Sequence, residues 1–206
     1  MTRTLIVNAD DFGRTRAVSA GIVHAHLHGL VSTTTAMVNL PGALQDVAQA
    51  SQQAPALGLG VHLNITSGRP ILPPEDVPSL ITPDGSFHTP DALLASGHRP
   101  YPAHIEREWR AQIEAFLSTG ARLDHLDSHH HAALLSPELW QVCLTLASEC
   151  GCGVRPPAPR ELSDDVLFSQ FPREARRFAT GEAWRMLADR GIPSPDRLVT
   201  RFFARR

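Results

Sequence analysis

The sequence predicts an α/β protein folded as a (β/α) barrel of the TIM-barrel kind. Three observations predict it. Short apolar segments of strand length alternate with segments of helical period along most of the chain. Polar residues able to bind a metal recur at the carboxyl ends of several of these strands, where the loops of a barrel converge. No G-x-G-x-x-G follows the first strand, which weighs against an open doubly wound sheet that binds a dinucleotide. With 206 residues, 42% of them hydrophobic, the chain suits a single domain, 1–206, with a sizeable core.

Taken in order, the elements are read as follows. Thr4 to Ala9 is a continuous apolar strand of the type buried on both faces, and it stops at Asp10-Asp11-Phe12-Gly13. Thr15 is an N-cap for a helix to about His28, with Gly29 as its stop. Val31 to Val38, rich in β-branched residues, is the second strand. Ala43 to about Ala54 is the second helix, and Leu57 to Asn64 the third strand, carrying His62. From Ile65 to Pro102 eight prolines and several glycines break regular structure, so 65–102 reads as a long insertion loop that covers substrate. Ala103 to Leu117 returns to a helix, with Ile105, Trp109, Ile113 and Phe116 on one face. Leu123 to Leu126 is the fourth strand, and Asp127 to His131 fall in the loop after it. Glu138 to Cys150 is a helix announced by Ser136-Pro137, and Gly153-Val154-Arg155 a short fifth strand. Arg173 to Arg190 reads as one helix and Asp196 to Phe203 as the start of a sixth strand.

Composition narrows the function classes. A net charge of -2 gives no basic excess for nucleic acid. The run Leu5-Ile6-Val7 is too short for a membrane span or a signal-peptide core, so no membrane partner and a cytoplasmic location are expected. Cys143, Cys150 and Cys152 lack CxxC spacing and are odd in number, pointing to reduced thiols.

The chemistry gathers at three strand ends: Asp10 and Asp11 after the first, His62 in the third, and Asp127 with His129, His130 and His131 after the fourth. Two imidazoles and a carboxylate from separate strands make a three-ligand site that keeps open positions for water and substrate. Of two adjacent aspartates, one can face a metal and the other accept the proton of attacking water. Each feature also has a plainer reading alone, a turn for Asp10-Asp11 and a core histidine for His62. Asp11-Phe12-Gly13 spells the kinase magnesium motif, but no glycine-rich loop or H-R-D precedes it, and all 19 cationic residues are Arg, leaving no strand lysine. His24 and His28 share a helix face, yet no Glu follows His24 as H-E-x-x-H requires, so they read as surface residues.

Asn8-Ala9-Asp10-Asp11-Phe12-Gly13, Gly60-Val61-His62-Leu63-Asn64 and His125-Leu126-Asp127-Ser128-His129-His130-His131 resemble the three signature motifs of the YdjC-like carbohydrate deacetylase family, which includes chitooligosaccharide deacetylases. The likeness extends more loosely through Ser32 to Asn39 and Val154-Arg155. It implies a distorted (β/α) barrel, one divalent metal ion (Mg2+ or Zn2+), and hydrolysis of an N-acetyl group on a carbohydrate to acetate and free amine. Carried over by position, Asp11, His62 and His129 would hold the metal and Asp10 would be the general base. Arg155 would face the substrate or hold the base, and His130 and His131 would be neighbours or substrate contacts, with His131 the substrate-binding candidate. Asp127 would orient a ligand imidazole through its distal nitrogen.

The sequence also departs from that pattern. The family usually continues its histidine run as H-H-H-x-H, whereas Ala132 and Ala133 follow His131. A later His-Pro strand, whose histidine would protonate the leaving amine, is not found before Arg206. The departures imply weakened turnover and an open barrel edge that a second subunit, in a homodimer, would cover. Two other readings stay open: a carbohydrate-binding relic without catalysis, and a metal-dependent phosphoesterase, for which Arg155, Arg69 and Arg99 would supply the cationic contacts.

Overall fold

The computed structural model describes residues 3–95, 100–157 and 171–199. Among these residues five strands, β1 (Asn8–Phe12), β2 (Thr33–Ala36), β3 (Gly58–Leu63), β4 (His125–Ser128) and β5 (Gly153–Val154), lie side by side in chain order, every pair parallel. One βα crossover after another in the same direction generates this order, as in a (β/α) barrel; a doubly wound sheet reverses order at a switch point. The molecule is thus α/β, an open, distorted barrel-like sheet over its described residues. The chain returns to the free edge of β5, where the Val154 N–H donates to the Pro193 carbonyl (3.0 Å). Among the described residues no strand pairs with the outer edge of β1.

Among the described residues seven helices accompany the sheet: α1 (Arg16–His28), α2 (Ala43–Gln53), α3 (Pro90–Ala95), α4 (Pro102–Leu117), α5 (Pro137–Cys150), α6 (Arg173–Thr180) and α7 (Glu182–Arg190). Thr15 caps α1 by accepting the Val18 N–H, and Ser136 caps α5 by accepting that of Leu139, each relieving an otherwise unpaired donor of the first turn. Successive side chains on a strand point to opposite faces, and both faces are put to use. Leu59, Val61 and Leu63 of β3 and Leu126 of β4 join one core with Val47 of α2, Trp109, Ile113 and Phe116 of α4, and Leu139 and Leu144 of α5. The residues between them carry polar groups or none: Asn8, Asp10, Thr33, Thr35, Gly60, His62, His125, Asp127 and Gly153. A β-carbon at Gly60 would lie 2.6 Å from the His125 carbonyl oxygen and 2.9 Å from its ring, so only glycine leaves that imidazole its place.

Several elements differ from expectation. The first strand runs from Asn8 to Phe12 rather than Thr4 to Ala9, and Leu5 and Ile6, expected to be buried on both faces, are 77% and 51% exposed. The reason is the edge position of β1, whose ladder begins where Asn8 meets Thr33. β4 continues through Asp127 and Ser128, beyond the expected break at Leu126, because Asp127 pairs with His62 and Ser128 with Leu63. β2 is shorter than Val31 to Val38. The expected single helix from Arg173 to Arg190 is two, divided at Gly181, whose backbone (φ -126°, ψ -81°) is not helical. The proline-rich segment contains 3-10 turns at Pro74–Asp76 and Pro78–Leu80 and the short helix α3, which periodicity alone did not suggest. Asp196 to Val199 form no strand, and the remainder of that expected sixth strand lies outside the described residues.

Candidate metal centre

The centre begins with a break in β1. Its register with β2 shifts between Ala9 and Phe12, and Asp11 takes a left-handed backbone (φ 65°), a conformation that side chains with a β-carbon seldom adopt. Neighbouring carboxylates that a regular strand would place on opposite faces are thereby both kept at the sheet's carboxyl end. Gly13, also left-handed (φ 82°), completes the turn against α2, where an added β-carbon would come within 2.5 Å of that of Ala43.

Asp11 meets two imidazoles. Its Oδ1 lies 3.1 Å from His129 Nδ1 and 3.5 Å from His62 Nε2, and one donor atom from each of the three residues falls within 4.8 Å of the others. His62 and His129 are buried, and their rings meet edge to face with centroids 5.2 Å apart. One carboxylate oxygen and two imidazole nitrogens fit Zn2+ or a comparable divalent ion. The adjoining Asp127 sharpens the fit. Its Oδ1 is 2.5 Å from His62 Nδ1, so the distal nitrogen is occupied and Nε2 is the one left to face Asp11. Thr35 Oγ1 donates to Asp127 Oδ2 (3.1 Å).

Asp10 faces other partners. Arg155, from just beyond β5, donates from Nη1 to Asp10 Oδ2 (2.9 Å) and from Nη2 to Asp10 Oδ1, while the same Nη2 lies 2.5 Å from Asp127 Oδ2. Asn8 Nδ2 donates to Asp10 Oδ1 (2.7 Å). Burial by itself would raise the Asp10 carboxyl, but the charge and hydrogen bonds of Arg155 outweigh it and hold Asp10 well below the usual carboxylate range. Asp11 is likewise opposed by burial and brought down to about 2, chiefly by His129. Burial would lower the His62 imidazole and raise the Asp127 carboxyl, yet their contact, with Arg155 acting on Asp127, moves His62 up and Asp127 down.

After His129 the chain turns through two successive left-handed residues, His130 (φ 53°) and His131 (φ 52°). Such backbone is costly and is found where the surroundings impose it. The turn folds the His130 ring onto His129, centroids 3.8 Å apart, with Nδ1 3.0 Å from Thr66 Oγ1. Burial, and then the charge of His129, bring His130 down to about 4. His131, the expected substrate contact, is buried, and His130 is the more exposed of the two. Arg155, given two expected roles, has its guanidinium on Asp10 and Asp127. Arg69 is exposed in the insertion, and Arg99 lies outside the described residues.

Sequence reasoning assigned no part to Thr35, Thr66, Glu108 or Gln112. Glu108 and Gln112, one turn apart on α4, are fully buried. The Glu108 carboxylate accepts the N–H groups of Ile71 (2.9 Å) and Leu72 (3.1 Å) and the Gln112 amide (2.8 Å). Gln112 in turn brackets the backbone of Asn64, accepting its N–H at 2.9 Å and donating to its carbonyl at 2.7 Å. The signal in the sequence was two polar residues at i,i+4 within an otherwise apolar helix face.

Comparison with known proteins fits this arrangement. The model of the YdjC-like protein family matches residues 4–205. A carbohydrate deacetylase of Brevibacillus brevis is 44% identical over 153 residues, 74% of this chain and 59% of that one. One from Halalkalibacterium halodurans is 41% identical over 173 residues, 81% and 71% of the two chains. The chain therefore spans about three fifths to seven tenths of the length of these relatives. A solved structure from Enterococcus faecalis, assigned to cellobiose-phosphate cleavage, superposes with a TM-score of 0.79 at 34% identity, over 96% of this chain and 68% of its own. With nearly its whole length matched and the three motifs folded onto one sheet end, the chain belongs to the YdjC-like family.

Proposed function

We propose that the protein is a metal-dependent hydrolase that removes an N-acetyl group from a carbohydrate, releasing acetate and a free amine. The observation that carries this reading is the convergence of Asp11, His62 and His129 beside an aspartate held by arginine, in a chain whose relatives are named carbohydrate deacetylases. Asp11, His62 and His129 would hold one divalent ion, which when bound would supply a Lewis acid for the acetamide carbonyl and acidify water. Two nitrogens and one oxygen suit Zn2+ and also accept Mg2+.

The remaining work falls to the chain's own residues. Asp10 would take the proton of the attacking water; Arg155 and Asn8 fix its orientation, so that Oδ1 and Oδ2 do not rotate away from the reacting atoms. Asp127 would keep the His62 ring in the tautomer and direction that binding needs. The insertion would supply the substrate wall, and sugar selectivity would reside there. The phosphoesterase reading loses its principal cation, since Arg155 is engaged by two carboxylates. The test is an assay of N-acetylated sugars and sugar phosphates with added Zn2+ or Mg2+. Acetate release from an N-acetyl sugar, with no phosphate release, is expected; phosphate release, or no metal-dependent product from any substrate, would overturn the proposal.

A further inference from the structure

One pair of metal-capable side chains has no part in that chemistry. We propose that His24 and His28 form a second metal site, for a borderline transition cation such as Zn2+, Ni2+ or Cu2+, on the outer surface of α1. Both residues are exposed, and their rings stand one helical turn apart with centroids separated by 4.6 Å and planes inclined at 47°. Residues at i and i+4 lie one above the other on a helix, so the two imidazoles can direct nitrogen donors at a single cation, the pairing the H-E-x-x-H helix uses. Without a glutamate after His24 the site has donors but no base, and it would bind without hydrolysing.

Three further features favour a cation there. Among the described residues neither ring has a hydrogen-bond or ion-pair partner to give up, whereas His26 on the same helix is engaged, its Nδ1 2.8 Å from the Val31 carbonyl. His28 is the last residue of α1, where unpaired carbonyls put the negative end of the helix dipole. Finally, α1 contains no carboxylate, so its donors are imidazole alone. Imidazole selects Zn2+, Ni2+ and Cu2+ over hard Mg2+, and water would complete the coordination.

The two centres are independent by construction. β1 delivers Asp11 at its carboxyl end, and α1 then runs back, so the 13 residues of the helix carry His28 about 20 Å away along its axis. Calorimetric titration of the full chain with Zn2+ and with Mg2+ tests the proposal on the wild type and on the His24→Ala/His28→Ala double variant. Alanine is the strongest helix former, so the variant is expected to keep its circular dichroism and its acetate release. The double variant should bind one equivalent of Zn2+ fewer than the wild type, with Mg2+ stoichiometry equal in the two proteins. Equal Zn2+ stoichiometry and affinity in both would overturn the assignment, as would a Mg2+ equivalent lost with the two histidines.

Discussion

Asp10 and Asp11 are adjacent, yet the irregularity in β1 sends their carboxylates to different partners, Asp10 to Arg155 and Asp11 to His62 and His129. The chemical capacity of these residues was legible in the sequence, since few other reasons place paired aspartates, a strand histidine and a histidine run at successive strand ends. Their division of labour came from the family resemblance alone, which gave Asp11 to a metal and Asp10 to water. It depends on a single left-handed residue and on Arg155, which is 145 positions from Asp10. The resemblance likewise gave Asp127 a ligand imidazole to orient without saying which; the partner is His62, because the register of β3 against β4 brings together residues 65 apart. At this scale the role proposed for Asp127 is testable. Asp127→Asn removes the charge that orients His62 and should weaken divalent-ion affinity about 10–100-fold with the fold retained. Unchanged affinity by calorimetry would contradict that role.

Among the elements, α4 best separates what a pattern reveals from what packing adds. Its apolar stripe is legible, and Ile105, Trp109, Ile113 and Phe116 are all buried as the spacing requires. The same face conceals Glu108 and Gln112, whose hydrogen bonds fix the exit of β3 at Asn64 and the insertion at Ile71 and Leu72. Polar residues enter a core when backbone groups need partners, and no periodicity shows which loop will need them. Burial raises the Glu108 carboxyl above its ordinary value in spite of these bonds. A raised folded value means that the folded state holds the proton more tightly than the unfolded chain. The associated stability is fully present below the unfolded value and is lost as pH rises through the folded one. Glu108→Gln removes this dependence. The stability of the wild type relative to that variant should therefore fall as pH rises above the ordinary glutamate value of about 4.3. Denaturant unfolding that gives a constant difference would show that Glu108 does not titrate in this way.

For the molecule as a whole, alternation of strands and helices identified the fold class, and polar strand ends identified which end of the sheet holds the chemistry. Burial at the sheet's margin was among the expectations that failed. Leu5 and Ile6 read as interior because they are apolar, but apolarity does not reveal whether a strand stands at the centre or the edge. No described helix is long and apolar enough to cross a membrane. One face of the sheet is polar from Asn8 to Arg155, and this concentration of charge and imidazole, with an apolar core on the other face, is what the proposed chemistry requires. Its central claim is that Asp11, His62 and His129 hold a divalent ion while Asp10 acts on water. The most direct measurement is ion binding and acetate release followed together in the wild type, Asp10→Asn and His129→Ala. The account predicts that Asp10→Asn binds the ion as the wild type does and releases no acetate, and that His129→Ala loses the ion. Unchanged affinity in His129→Ala, or loss of the ion together with activity in Asp10→Asn, would contradict it.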